Sequence, residues 1–319
     1  MIARTVRIVR LTYRIHRFEV NSVVILASLL GLGSIVVAWA LGNVDLPADC
    51  VPSFDTGELP ESCITQYEAF QRIAALSSPI AAVSSLFPVI AGLLVGGPVI
   101  AREIERGTTS LAWSLSPSRL AWYLHRVVPV VVLLLFLSFV VGASAEHLMR
   151  AYTPDSNLAE SFVGFRFRGI LIATQAFVLA STGIAVGALL GRAVPTFLLG
   201  LILGMFSIIG IGQLHQQVLL SEAVTVVQDE FGSSFSNDDL YLDSRLQLPD
   251  GRLVTYDELI RIDPAAFQSE FGPTYPNVSL VIPGARFRAV EAREAAAELT
   301  VGLVYLVAGG LIVTRRRPT

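Results

Sequence analysis

Six stretches of the chain carry no Asp, Glu or Arg and are strongly apolar. They are residues 22–41, 73–101, 127–145, 169–191, 193–221 and 299–314. A helix that crosses a bilayer needs roughly 20 apolar residues, so each stretch predicts one span, with about 195–214 as the membrane part of the fifth. The sixth run is short. The Ala-rich residues 295–297 extend it at one end and Arg315 can snorkel at the other. Pro79, Pro88 and Pro98 interrupt the second run, which predicts kinks or a broken helix there. The first run follows 21 residues, long for the leading segment of a signal peptide. It is therefore read as a retained span, although Ala38-Trp39-Ala40 has the form of a cleavage site.

The polar stretches between the runs divide by charge. Residues 1–21, residues 102–126, Arg192 and Arg315 to Arg317 together carry net +10, and the rest of the chain carries −13. Loop 42–72 is net −5, loop 146–168 is neutral, and segment 215–298 is net −8. Arginine-rich segments stay on the cytoplasmic side, so both termini are expected inside. The expected fold class is an all-α polytopic membrane protein with six transmembrane helices and cytoplasmic termini. A small mixed external segment lies between helices five and six. By region, 1–21 is a cytoplasmic amphipathic interfacial helix, and 22–214 holds the first five spans with a cytoplasmic loop at 102–126 and an external loop at 42–72. Residues 215–298 form the external acidic segment, and 299–319 the last span and a basic tail.

Composition agrees with this division. Of 319 residues, 53% are apolar and 15% charged, with mean hydropathy +0.63, whereas an ordinary soluble domain is about 25% charged. All 23 basic residues are arginine. Without lysine the chain cannot form a Walker A phosphate loop, a pyridoxal phosphate Schiff base or a protein kinase site. Abundant Ala, Val, Leu and Arg without Lys also suggest a GC-rich genome of the actinobacterial kind.

Candidate chemistry is sparse. His16, His125, His147 and His215 fall in no metal-binding spacing, so no metal site is expected. Gly142-Ala143-Ser144-Ala145-Glu146 begins like a nucleophile elbow but ends on Glu; no catalytic residues are assigned. Nothing in the pattern points to nucleic acid. The only two cysteines, Cys50 and Cys63, share the external loop. A disulfide can persist there and would stabilise the loop by up to about 3 kcal/mol; the alternative is two free thiols. Gly183, Gly187 and Gly191 recur at every fourth position, a spacing that lets helix backbones approach, within one chain or between subunits.

Residues 101–128, AREIERGTTSLAWSLSPSRLAWYLHRVV, form the most informative stretch. A charged segment leaves the second span, turns at Gly107-Thr108, and continues as a short amphipathic piece in which Leu111, Ala112 and Leu115 share a face with Trp113 near its edge. Ser116-Pro117-Ser118-Arg119 breaks that piece, Ser118 can cap the next helix, and Trp122 and Tyr123 sit at interface level. A short helix lying flat on the inner membrane surface is expected.

This stretch resembles the loop after the second span in permease subunits of type-2 ATP-binding-cassette (ABC) exporters. The matching residues are Glu103, Glu105, Gly107, Thr108, Trp113, Ser116, Ser118, Arg119 and Trp122. The basic start, Arg4 to Phe18, looks like that family's interfacial helix. The resemblance implies a multi-pass permease in a bacterial plasma membrane, paired as a dimer with a second copy or a paralogue. A separate ABC subunit would bind ATP and Mg and hydrolyse the nucleotide, leaving this chain with no cofactor of its own. The loop would dock on that subunit, with Leu111 to Leu115 as the docking surface and Glu103 and Glu105 paired to arginines nearby or on the partner. The charge-free spans suit an amphipathic or hydrophobic cargo, and membrane lipid surrounds them. The alternative is a non-transporting membrane protein whose external segment senses a ligand. The acidic segment 215–298 departs from the family pattern and favours that alternative, but the matched loop then has no role.

Overall fold

The computed structural model describes residues 13, 16–44, 50, 60–114, 116–154, 156–227, 236–263 and 275–316. Its helices are α1 (Arg17–Gly42), α2 (Ile64–Ala74), α3 (Ser77–Glu105), α4 (Thr109–Ser114), α5 (Arg119–Tyr152), α6 (Leu171–Leu190), α7 (Ala193–Glu222), α8 (Tyr256–Ile262) and α9 (Phe287–Arg315). The described residues hold four strands: β1 (Val224–Val227), β2 (Leu240–Gln247), β3 (Leu253–Val254) and β4 (Asn277–Ile282). Among the described residues, six helical stretches are long and apolar enough to cross a membrane. The protein is an all-α, six-span membrane protein with a small mixed insertion. The expected interfacial helix at 1–21 falls mostly outside the described residues, as do Leu115 and residues 45–49 and 51–59 of loop 42–72.

The chain forms two compact units. The first is Met1–Pro154, Arg166–Gly210 and Glu294–Thr319; the second is Asp155–Phe165 and Ile211–Arg293. In the first unit α6 is the central element. From Leu171 to Ala188 every residue is buried except Gln175, which is partly so. A helix apolar on all sides belongs inside a bundle. Val23, Ala27 and Leu30 of α1, Phe87, Ala91, Val95 and Val99 of α3, and Val127, Val130 and Leu134 of α5 join Ile172, Ala176, Ala180 and Ile184 of α6 in one core. The glycines determine how closely α3 meets α6. A Cβ built on Gly96 would lie 2.4 Å from the Ala180 carbonyl oxygen, and one on Gly183 would lie 3.0 Å from the Gly97 nitrogen. Gly187 abuts Gly97 and Ala101, so Gly183 and Gly187 serve contacts within the chain. Gly191 does something else. It ends α6 in the left-handed region at φ +65°, where a residue without Cβ fits.

Two sequence expectations need correction. The prolines do not break the second span: Pro88 and Pro98 lie inside a continuous α3, and Pro79 sits in its first turn. The first-turn N–H groups have no intrahelical acceptor, so a proline there costs no bond. The interruption falls earlier, between α2 and α3 at residues 75–76. As the helix-forming residues 291–299 suggest, the last helix begins before its apolar run; it starts at Phe287 and carries Glu294 and Glu298 into the packed bundle. Glu294 Oε1 lies 2.7 Å from Arg166 Nε, and Glu298 accepts a hydrogen bond from Thr174. Leu219, Ala223, Val226 and Val227 have helical spacing and predict a helix over 215–231, but the helix does not run that far. The helix stops at Glu222, and β-branched Val224-Thr225-Val226-Val227 extends into β1.

The second unit is built on one antiparallel sheet, in the order β1-β4-β2-β3. Pro249-Asp250-Gly251 turns the chain between β2 and β3, with Gly251 at φ +82°. Phe162, Phe165 and Phe287 meet edge to face, Phe162 being 5.4 Å from each of the others, and they pack with Leu219, Ile282 and Val290. Helix α8 starts in a capping box. Glu258 N–H donates to Thr255 Oγ1 at 3.2 Å, and Thr255 N–H donates to Glu258 Oε2 at 2.9 Å. The Thr255 backbone bond holds the Glu258 carboxyl below the usual glutamate range.

Cys50 and Cys63 are bonded, with Cα atoms 5.2 Å apart. Thiol alkylation followed by mass spectrometry of the intact protein should therefore label no cysteine before reduction and both after it. Two alkylated cysteines in the unreduced protein would contradict the bond.

Candidate functional site

The site is the elbow between α3 and α5. Helix α3 ends in a Schellman motif: Gly107 N–H donates to the Ile104 carbonyl at 3.0 Å and Thr108 N–H to the Glu103 carbonyl at 3.2 Å. Gly107 adopts φ +67°, a region that residues with a Cβ rarely occupy. The Gly-Thr pair is thus a helix stop that turns the chain into α4. After α4, Ser118 takes an extended conformation, and its Oγ accepts from Ala121 N–H at 3.1 Å, starting α5. Ser116 N–H closes back on the Trp113 carbonyl at 3.3 Å.

Side chains fix the elbow from beneath. Glu103 is buried, with Oε1 3.0 Å from Arg126 Nε and the Trp122 indole beside the carboxylate. Trp122 meets Trp113 edge to face at 6.0 Å, and the Arg119 guanidinium covers the Trp113 ring at 4.6 Å. Ala112 and Trp113 pack toward the core, whereas Leu111 is 65% exposed. The single apolar face expected for Leu111, Ala112 and Leu115 is therefore divided. On a helix of six residues, positions 111 and 112 point about 100° apart, and only one can face the bundle.

Three charged side chains tie this region to the ends of other helices. Arg119 Nη1 donates to the Thr314 and Arg316 carbonyls at 3.1 and 2.5 Å, at the end of α9. Arg316 Nη1 donates to the Ala188 and Leu189 carbonyls at 2.7 and 3.2 Å, satisfying the last turn of α6. Glu105 Oε2 accepts from Ala193 N–H at 3.0 Å, placing a carboxylate at the positive end of α7. Glu105 thus caps a helix, while Glu103 pairs with an arginine. At the start of α1, buried Glu19 pairs with Arg102 of α3. His16 is buried next to them, and burial pushes its imidazole down to about 4.

Residues 20–216 match the model of a family described as ABC-2 membrane transporter related. The chain belongs to that family. Neither a curated protein nor a solved structure matches the chain. As an ABC-2 membrane transporter related protein it is the multi-pass permease component of an ABC transporter, a class that works with an ATP-binding subunit. The match includes the whole elbow and stops short of the sheet.

The structure brings Glu103, Trp113, Arg119 and Trp122 together. It leaves Gly107, Thr108, Leu111 and Ser118 exposed. Sequence reading did not single out Glu19, Arg102, Arg126 or Arg316 as members of the site. Arg126 had a signal: residues 119, 122 and 126 share one helical face. The other three meet the elbow only through tertiary packing. Among the described residues no group of three or more His, Cys, Asp or Glu is placed to hold a metal.

Proposed function

We propose that the chain is the permease of an exporter whose energy comes from a separate ATP-binding subunit that docks on the elbow. The termini lie in the cytoplasm, and the membrane is a bacterial plasma membrane. The working permease is a dimer, with a second copy or with a paralogue. ATP and Mg belong to the partner, since a chain without lysine has no Walker A loop. The cargo is amphipathic or hydrophobic. The observation that carries this reading is Leu111: a large apolar residue held outward on a short helix whose other apolar residues are anchored inward. A docked subunit moving Leu111 would act through Trp113 on Arg119 and Trp122, and through them on the ends of α9 and α3. A ligand-sensing protein gives this relay no role.

The test is to purify the tagged chain from its host's membranes and assay the eluate for ATP hydrolysis. ATPase activity is expected with the natural sequence and should fall to background with Leu111→Asp, while membrane yield and elution volume stay unchanged. Undiminished ATPase activity in that variant overturns the docking role of α4. Absence of any ATPase from the natural complex overturns the transport reading.

A further inference from the structure

The far ends of α3 and α5 enclose a cavity of about 210 Å³ within the first unit. Ile80, Ala81, Leu148, Met149 and Phe167 supply apolar wall, with Ser77, Ser78 and Tyr152 along the rim. Ser84 lines it as well, is 1% exposed, and its Oγ has no hydrogen-bond partner among the described residues. A buried hydroxyl in a helix ordinarily bonds a carbonyl one turn back. Ser77, Ser85 and Ser144 do so, donating to Ala74, Ala82 and Val141. Among the described residues the hydroxyls of Ser34, Ser138 and Ser181 share the unbonded state of Ser84, but of these four only Ser84 borders the cavity.

We infer that this cavity binds one alkyl chain carrying a hydroxyl or carbonyl group, with that group on Ser84 Oγ. Size restricts the occupant. An apolar cavity of about 150 Å³ holds benzene, and drug-sized ligands need roughly 300 Å³ or more. A volume between these fits a single short chain and excludes a drug-sized compound. The wall chemistry agrees, being aliphatic and aromatic with the buried Ser84 hydroxyl about seven residues, or two helical turns, in from Ser77. Such a chain has two sources, a free single-chain amphiphile or the acyl tail of a bilayer phospholipid. The inference concerns binding by this chain alone and does not rest on the transport reading.

The test uses the purified full chain and two photoreactive probes, an eight-carbon alcohol bearing a diazirine and a phospholipid with the same group on one acyl chain. Saturable labelling of Ile80, Met149 or Phe167, mapped by mass spectrometry and displaced by unlabelled octanol, is expected. Labelling by the alcohol alone assigns a free amphiphile, and labelling by the phospholipid assigns a lipid tail; either supports the site. Ser84→Ala should weaken octanol competition by about three- to tenfold and leave competition by octane unchanged. Ala81→Trp and Ala145→Phe, which fill the cavity from opposite walls, should each abolish labelling while the protein still elutes as a single peak. Absence of saturable labelling in the natural chain, or labelling that survives both filling variants, overturns the inference.

Discussion

Replacing Glu103 with alanine should lower the midpoint of thermal unfolding of the purified protein by about 10 °C. Glu103 is 7% exposed, and Arg126 Nε lies 3.0 Å from its carboxylate. Removing one member of a buried pair leaves the other charge unsolvated and uncompensated, which costs about 3–5 kcal/mol. For a chain of this size each kcal/mol corresponds to roughly 2–4 °C. Arg126→Ala should fall by a similar amount. The decisive measurement is the double variant. Glu103→Leu with Arg126→Met removes both charges and retains volume, and a buried pair replaced by apolar groups is often neutral. The double variant should therefore recover most of the loss, and measured against the single Glu103→Leu and Arg126→Met variants the coupling between the sites should be at least about 1 kcal/mol. If the two single losses simply add, the pair is not the interaction that holds the elbow.

That outcome also separates stability from communication. Glu103 and Arg126 hold α3 to α5 below the elbow, whereas Arg119 and Arg316 connect it to the ends of α9 and α6. A double variant that melts normally but no longer responds to a docked ATPase would show that the charges serve coupling as well as folding.

The spans were legible because hydropathy reports removal from water, whether into lipid or, as for α6, into the middle of the bundle. The runs at 127–145 and 299–314 find the middles of α5 and α9 but miss their ends. A helix stabilised by tertiary packing continues past the bilayer edge with charged residues in it, as Arg119 and Glu298 do. The Gly107-Thr108 stop and the Ser118 cap were readable from local chemistry, since capping depends on residues one turn apart. The partners of Glu105 and Arg316 were not. Their targets are backbone groups at helix ends distant in sequence, and a peptide N–H or carbonyl has no side-chain signature. The strand at 224–227 was missed because its apolar spacing also fits a helical face. The sheet neighbour that decides the matter, β4, lies some fifty residues on.

Gly96→Val should leave little or no well-folded protein in the membrane. A Cβ at this position would sit 2.4 Å from the Ala180 oxygen and 2.6 Å from its Cα. Both atoms are backbone of the central helix and cannot rotate away as a side chain would. Helices α3 and α6 must therefore separate along the seam that Gly92, Gly183 and Gly187 also line, with loss of contact for the whole core cluster. Overpacking costs about 1–3 kcal/mol where side chains can adjust; with backbone on both sides the cost lies above that range. Gly210→Ala on α7 supplies the control, since a Cβ there meets nothing within 4 Å. It should be neutral or slightly stabilising, because alanine favours helix by about 1 kcal/mol over glycine. Yield of monodisperse protein on size exclusion measures both. Because the seam lies within one chain, the loss at Gly96 should appear as misfolding and should not depend on protein concentration. A Gly96→Val protein that folds normally but fails to dimerise would move the seam to a subunit interface and contradict the packing of α6 against α3.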